Sequence, residues 1–278
     1  MKNTGPQALV LTGCGINCDY ETAEACSLAG FSARRVHIND VLESGRKLLG
    51  NKLVVFPGGF SFGDDLGSGV AFSSKVRFSV LKDGKKLYDL LMEYVQRDGL
   101  VLGICNGFQI LVRLGMIPAA DTIYGRQLVT LAPNREGYFI DRWVKLRVDE
   151  SSPAIFTAGI RTLDLPVRHA EGRFVSGNKE TLNLLIKQGL VSLRYCDENG
   201  EPAAEFPQNP NGSEDSIAGI CDPTGRIFGL MPHPEAAVSF YLYPDWTMRK
   251  ERAARSGIRH PAAGDGYLIF KNACKYVG

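Results

Sequence analysis

The fold of this chain is decided by one stretch, Leu100-Val101-Leu102-Gly103-Ile104-Cys105-Asn106-Gly107-Phe108-Gln109-Ile110-Leu111. Its first five residues carry no charge and are almost all aliphatic, which is typical of a strand buried on both faces of a parallel sheet. The residues from 108 to 115 have the pattern of a helix that ends at glycine. A single cysteine, Cys105, separates the two elements in the pattern Gly-x-Cys-x-Gly, which is the nucleophile-elbow pattern with sulfur in place of the serine hydroxyl.

The chemistry of Cys105 has two interpretations. In a nucleophile elbow, two glycines allow a tight turn that presents one side chain at a helix N-terminus, where the helix dipole and free N–H groups lower a thiol pKa and stabilise anions. The alternative is a buried structural cysteine that packs as a small hydrophobic residue. The Gly-x-Cys-x-Gly frame favours the nucleophile.

The same alternation of strand and helix extends outward from this stretch. Before it, the pattern predicts strands at Gln7–Thr12, 33–38 and 52–56, and helices at about 20–29 and 75–97. Such alternation is typical of a doubly wound parallel α/β sheet. After it, segments 130–134 and 143–148 alternate as antiparallel or edge strands do, and Ile217–Cys221 with 226–231 form a predicted hairpin. We therefore expect a mostly parallel sheet with an antiparallel extension, in a single domain over residues 1–278.

Ligands gather at the carboxyl ends of the strands in such sheets. The predicted ends carry the loop Gly13-Cys14-Gly15, the loop Pro57-Gly58-Gly59 and Cys105. The first loop lacks the third glycine of the dinucleotide fingerprint, so we interpret it as structural or adjacent to substrate. The second loop matches in placement the segment that supplies the second N–H donor of an oxyanion hole in nucleophile-elbow enzymes.

A general base for Cys105 is offered by Pro232-His233-Pro234-Glu235, which follows a buried strand and presents His233 between two prolines with Glu235 directly after them. We predict Cys105 as nucleophile, His233 as base and Glu235 as the group that orients His233. The segment around His169 and Glu171 could offer another histidine and carboxylate, although a polar patch facing substrate is the simpler interpretation.

Composition narrows the functional classes. The chain has 278 residues, 44% hydrophobic and 22% charged, and a net charge of +2, which gives no case for nucleic acid as a partner. There is no signal-peptide pattern and no apolar run long enough for a membrane span. Seven cysteines lack paired metal-ligand spacing, and Cys14 and Cys18 have no second pair or nearby histidine in the sequence. We therefore predict no metal site and a cytoplasmic location with reduced thiols.

Three motifs together resemble the class I (triad) glutamine amidotransferase family: Pro57-Gly58-Gly59, Gly103-Ile104-Cys105-Asn106-Gly107-Phe108-Gln109 and Pro232-His233-Pro234-Glu235. Gly15-Ile16-Asn17-Cys18-Asp19, Ser61-Phe62-Gly63-Asp64 and Asn209-Pro210-Asn211-Gly212-Ser213 are similar to the purine-biosynthesis branch of that family, the glutaminase subunits of phosphoribosylformylglycinamidine synthases. The chain departs from the branch at Phe62, often tyrosine, and at Ala236, often arginine.

The resemblance implies a flavodoxin-like fold and hydrolysis of L-glutamine to glutamate and ammonia. The ammonia would pass to a separate synthase subunit, with or without a small accessory subunit, that uses ATP and magnesium to convert formylglycinamide ribonucleotide to its amidine. It also implies oxyanion donors at Gly59 and Asn106, and places Gln109 and Gly58 near the glutamine. No cofactor is expected in this chain, because the sequence contains no P-loop and no carboxylate cluster for magnesium.

Three alternatives remain open from the residues. One is the glutaminase of another amidotransferase, and a second is a γ-glutamyl hydrolase or cysteine peptidase on the same fold. The third is a non-catalytic glutamine-binding regulator. By its composition, the segment Asn209-Pro210-Asn211-Gly212-Ser213 is predicted to be a loop that offers a surface to a partner.

Overall fold

The computed structural model describes residues 5–278. Within that range the strands are β1 Gln7–Thr12, β2 Ser32–His37, β3 Leu53–Phe56, β4 Leu100–Ile104, β5 Thr130–Pro133, β6 Ile140–Val148, β7 Thr162–His169, β8 Glu171–Val175, β9 Val191–Cys196, β10 Ile217–Cys221 and β11 Ile227–Leu230. The helices are α1 Asp19–Leu28, α2 Ile38–Glu43, α3 Arg46–Leu49, α4 Val70–Phe78, α5 Leu87–Gln96, α6 Asn106–Arg113, α7 Lys179–Lys187, α8 Trp246–Arg255 and α9 Gly266–Val277.

Nine strands form one sheet in the order β2-β1-β3-β4-β11-β10-β9-β6-β7, and β5 pairs with β8 in a separate ribbon. The strands from β2 to β11 in this order are parallel, while the pairings from β11 through β10, β9 and β6 to β7 are antiparallel. The predicted fold class is therefore confirmed, including the hairpin of β10 and β11.

Helices cover both faces of the parallel half of the sheet. On one face α1 contacts α9, and on the other α4 contacts both α5 and α6. Every residue of β3, β4 and β11 is buried between these layers. Burying each large aliphatic side chain stabilises the fold by about 1.5–3 kcal/mol, so this apolar run fixes β4 at the centre of the sheet.

The carboxyl ends of β1, β3, β4 and β11 lie at one edge, where the loops that follow them meet. Ile16 in the loop after β1 forms a bridge with Gly59 in the loop after β3. Cys105, directly after β4, donates its backbone N–H to the carbonyl of Leu230, the last residue of β11, at 2.8 Å. The predicted convergence of these segments is therefore present in the structure.

The helix predicted over 75–97 is wrong as a single element, because the chain forms α4 and α5 with a tight turn between them. Leu81 N–H donates to the Lys85 carbonyl at 2.8 Å, and Leu87 N–H donates to that of Ser79 at 3.0 Å. The turn contains Asp83-Gly84, with Gly84 at a φ of 83°. An Asp-Gly pair is a strong turn signal, and here it outweighs the helical spacing of the leucines on either side.

The segment Asn209–Ser213 is a loop, as predicted, but it is not a surface, because all five residues are buried. The Asn211 side-chain amide donates to the Gly172 carbonyl at 2.9 Å, and the Ser213 hydroxyl accepts from Phe174 N–H at 2.9 Å. Its polar side chains therefore satisfy backbone groups of β8 instead of facing a partner.

No helix within residues 5–278 combines the length and the apolar character that a membrane crossing requires.

Candidate active site

Cys105 occupies a strained elbow between β4 and α6, with φ 50° and ψ −105°. A residue other than glycine held there costs about 1–3 kcal/mol, which the surrounding packing has to supply. The glycine at 107 is required by space, because a Cβ there would lie 1.8 Å from the Phe56 carbonyl oxygen. The start of α6 can therefore press against β3, and the turn presents Cys105 at the helix N-terminus with 5% of its surface exposed.

His233 lies beside this elbow and is held from two sides. Its backbone N–H donates to the Pro166 carbonyl at 2.8 Å, and its Nδ1 is 2.5 Å from Glu235 Oε1. Both side chains are buried. Because Nδ1 is engaged by the carboxylate, the ring presents Nε2, which has no hydrogen-bond partner among the described residues. This is the orientation that a general base requires.

The pKa of His233 is raised well above its usual range. Burial disfavours the charged ring, but the carboxylate of Glu235 and the nearby sulfur of Cys105 outweigh that effect. Cys105 and His233 also line one cavity of about 170 Å³. A histidine that accepts a proton readily, next to a thiol, can generate the thiolate that attacks a carbonyl.

The loop after β3 is paired with the loop after β1. Phe60 N–H donates to the Gly15 carbonyl at 2.8 Å, and Cys18 N–H donates to the Gly58 carbonyl at 3.2 Å. A Cβ at Gly59 would lie 2.7 Å from the Gly15 oxygen, and Gly59 has a φ of 148°. Only glycine fits this close approach. Gly59 lines the cavities on both sides of Cys105, whereas Gly58 packs against the ring of His233.

Asn106 and Gln109 project from the first turn of α6 into a network of amides and carboxylates. The Asn106 amide donates to Asp64 at 3.3 Å and to the Gln109 side-chain oxygen at 3.0 Å. The Gln109 amide in turn donates to the Glu171 carbonyl at 2.6 Å. The Asn106 side chain thus has a structural role, while its backbone N–H stands next to Cys105 as the predicted oxyanion donor.

The segment at the end of β7 forms one wall of the second cavity, which measures about 210 Å³. Arg168, His169 and Glu171 all line it together with Cys105, and that this polar patch faces substrate stays a prediction. The Asn134 amide nitrogen donates to two carbonyls, so its oxygen accepts from His169 Nδ1 at 3.0 Å. Burial, and then the charge of His233, lower the pKa of His169 to about 3, so this ring is neutral.

Two further residues near Cys105 were missed by the sequence reasoning as site residues. Asp64 lines the 210 Å³ cavity, and burial raises the pKa of its carboxyl group although Ser68 donates a hydrogen bond to it at 2.9 Å. Cys18 lies against His233, and both line the 170 Å³ cavity. The signal for both was their position in loops at the carboxyl ends of parallel strands.

A larger cavity of about 640 Å³ lies elsewhere, between β6, β7 and α8. Its Lys145 and Arg249 are both paired with Asp164, at 3.2 and 2.8 Å. It contains none of the predicted site residues. The chemistry therefore belongs to the two smaller cavities around Cys105.

Comparison with known proteins agrees with this geometry. Residues 5–277 match the CobB/CobQ-like glutamine amidotransferase domain family, and the chain belongs to that family. The chain is 42% identical over 273 residues to the phosphoribosylformylglycinamidine synthase subunit PurQ of Methanococcus maripaludis strain S2, covering 98% of this chain and 97% of that protein. It is 40% identical over 271 residues to the subunit of the same name from Dehalococcoides mccartyi, with 98% and 97% covered.

A solved structure, that of PurLQS from Thermotoga maritima, is also similar. It matches with a TM-score of 0.69 and 27% identity, covering 99% of this chain and 100% of that chain. The resemblance inferred from the motifs is thus confirmed, both for the amidotransferase family and for its purine-pathway branch.

Proposed function

We propose that this chain is the glutaminase subunit of a phosphoribosylformylglycinamidine synthase. The observation that carries the proposal is the pairing of a cysteine on a strained elbow with His233, whose Nδ1 is fixed by a buried carboxylate at 2.5 Å. A module that only binds glutamine has no use for this arrangement. Similarity to the PurQ subunits over nearly the full length of both chains supports the pathway.

In the proposed mechanism, His233 Nε2 takes the thiol proton of Cys105, and the thiolate attacks the glutamine carboxamide carbon. The backbone N–H groups of Gly59 and Asn106 stabilise the oxyanion. His233 then returns its proton to the nitrogen, the C–N bond breaks and ammonia leaves a thioester on Cys105. Water, activated by His233, hydrolyses the thioester to glutamate.

The two cavities beside Cys105 support one orientation of the substrate. The 210 Å³ cavity carries the carboxylates of Asp64 and Glu171 and the amide of Gln109, which suit the charged amino-acid end of glutamine. The 170 Å³ cavity carries His233. The carboxamide nitrogen therefore leaves on the His233 side, where it can be protonated.

The partner is the synthase subunit, to which ammonia is delivered. We assign the ATP and magnesium chemistry to that partner, in line with the resemblance. We also propose that the chain acts as one domain in the cytoplasm. One sheet that draws strands from Gln7 to Leu230 supports the first statement, and cysteines that are all free in the described residues support the second.

The test is Cys105→Ala in the complex assembled with the synthase. Glutamine-dependent amidine formation is expected to disappear, while synthesis from added ammonia persists at the wild-type rate. Cys14→Ala is the matched control, because Cys14 is an exposed thiol in the loop after β1. Glutamine turnover by Cys105→Ala would refute the mechanism, and failure to associate with any ATP-dependent synthase would refute the pathway.

A further inference from the structure

Cys18 belongs to the motif Gly15-Ile16-Asn17-Cys18-Asp19, and the proposed mechanism gives its thiol no role. The sequence offers no metal-ligand partner near it. The structure offers such partners, because the loops after β1 and β3 pair and place Cys18 beside Gly58, close to His233.

The sulfur of Cys18, a ring nitrogen of His233 and a carboxylate oxygen of Glu235 all lie within 4.8 Å of one another. All three residues are buried, with 8%, 2% and 2% of their surfaces exposed. Gly58 makes this approach possible, since a Cβ there would lie 3.2 Å from the Cys18 sulfur and 2.7 Å from His233 Cε1.

One atom of this cluster has unused ligating capacity, because Glu235 Oε2 is buried without a hydrogen-bond partner among the described residues. An ion shared with Glu235 has to bind His233 at Nδ1, the ring nitrogen that Glu235 Oε1 approaches at 2.5 Å. Thiolate, imidazole and carboxylate form the donor set of Zn²⁺ sites. Tetrahedral zinc needs ligand atoms about 3.3–3.8 Å apart, given bonds of about 2.0–2.3 Å. His233 Nδ1 and Glu235 Oε1 lie 2.5 Å apart and have to separate by about 1 Å, while no pair of ligand atoms in the cluster is more than 4.8 Å apart. Shifts of about 1 Å would therefore complete three ligands.

We propose that Cys18, His233 and Glu235 form a site for a thiophilic divalent cation of the Zn²⁺ class, and that occupancy reversibly switches off the glutaminase. The cation reaches the cluster through the 170 Å³ cavity, which Cys18 and His233 line and where water can supply the fourth ligand. This site is additional to the proposed function and concerns its regulation.

Binding involves coordination alone. The ion replaces the proton of the Cys18 thiol and any proton on the ligating nitrogen of His233, and these protons go to solvent. With the ion on Nδ1, the remaining ring proton of His233 is on Nε2, so Nε2 cannot take the proton of Cys105. Mg²⁺ prefers oxygen ligands and does not compete for a site built on sulfur and nitrogen.

The test measures metal binding separately from activity. Zn²⁺ affinity is determined by competition with a chromophoric chelator, and Co²⁺ is added to detect the thiolate-to-metal absorption band. Wild-type protein and Cys105→Ala are both expected to bind one ion and show the band. Cys18→Ala is expected to bind at least about 10-fold more weakly and to lose the band, and Cys18→Ser provides a second variant if alanine impairs folding.

Inhibition is measured on the same proteins, each relative to its own activity without metal. Zn²⁺ should inhibit the wild type and the Cys14→Ala control equally, inhibit Cys18→Ala at least about 10-fold less, and be reversed by a chelator. Mg²⁺ should not inhibit. Unchanged Zn²⁺ affinity in Cys18→Ala, loss of binding in Cys105→Ala, or no binding by the wild type would each overturn the proposal. Since the binding assay needs no turnover, these outcomes are distinguishable from failure of the glutaminase assignment.

Discussion

Gly58→Ala is the substitution that most directly tests whether the position of His233 limits turnover. A Cβ at residue 58 would lie 2.7 Å from His233 Cε1. Favourable contacts between carbon atoms begin at about 3.5 Å, so the ring has to retreat by about 0.8 Å. His233 is buried and held by Glu235 at 2.5 Å, so the retreat either breaks that hydrogen bond or moves Nε2 away from Cys105.

Gly58→Ala should cost little stability but much of the catalytic rate. Overpacking a buried site costs about 1–3 kcal/mol, which a fold stabilised by about 5–15 kcal/mol survives. Misplacing a reacting group by about 1 Å costs about 100-fold in rate, so kcat should fall by about 10–100-fold. KM for glutamine should change little, because the methyl group enters on the side of the base and not in the cavity with Asp64 and Glu171.

The assay is glutamate release by the complex over a range of glutamine concentrations, with thermal unfolding measured on the same protein. Gly50→Ala is the matched control, because residue 50 has a φ of −77° and the nearest atom to its added Cβ is 3.8 Å away. Wild-type kcat in Gly58→Ala would refute the reasoning, and so would an equal loss in Gly50→Ala.

Two further predictions concern histidine protonation. Glu235→Gln keeps the shape of the side chain but removes the charge that raises the pKa of His233, so kcat should fall by about 10³–10⁴-fold. A kcat within threefold of the wild-type value across the pH–rate profile would contradict this. Burial lowers the pKa of His169 to about 3 in the folded protein. In the unfolded chain the ring takes up a proton as the pH falls below about 6.5, so acidification favours the unfolded chain. The stability that the neutral ring contributes is therefore present at pH 7, and it should be lost by up to about 1.4 kcal/mol per pH unit on acidification. Urea unfolding at pH 6.5 and 5 should show a smaller loss in His169→Gln, and equal losses would contradict the assignment.

The parallel half of the fold could be predicted from sequence because its signals are local. Each signal depends on a few neighbouring residues: the apolar run of β4, the glycines around Cys105 and the alternation of strand and helix. The two errors have the same origin. The leucine spacing over 75–97 concealed an Asp-Gly turn, and the polar composition of Asn209–Ser213 suggested exposure where buried side chains satisfy the backbone of β8.

The convergence of Cys105, His233 and the glycine loops could be predicted, because each has a characteristic neighbourhood in the sequence, and their catalytic roles stay predictions. Asp64 and Cys18 stand in motifs that indicate the family branch, but these motifs do not assign either residue to the site. Their proximity to the triad depends on loop pairing, such as Phe60 N–H with the Gly15 carbonyl, and on the fit of Gly58 against His233. Contacts of this kind follow from tertiary packing, which single-sequence patterns do not encode.

The orientation of β11 explains how distant segments make one site. His233 follows β11, and only the carboxyl end of a strand parallel to β4 can lie at the edge where Cys105 stands. The neighbouring strand β10 is antiparallel, so its carboxyl end points to the opposite edge. The hairpin therefore has to insert with its second strand against β4. The pairing of Gly103 with Gly229 allows this. Glycine is needed at residue 229, because an added Cβ would lie only 2.3 Å from the ring of Phe108. A larger residue at 229 would force β11 away from α6. His233 would then no longer lie beside Cys105, even though both residues were still present.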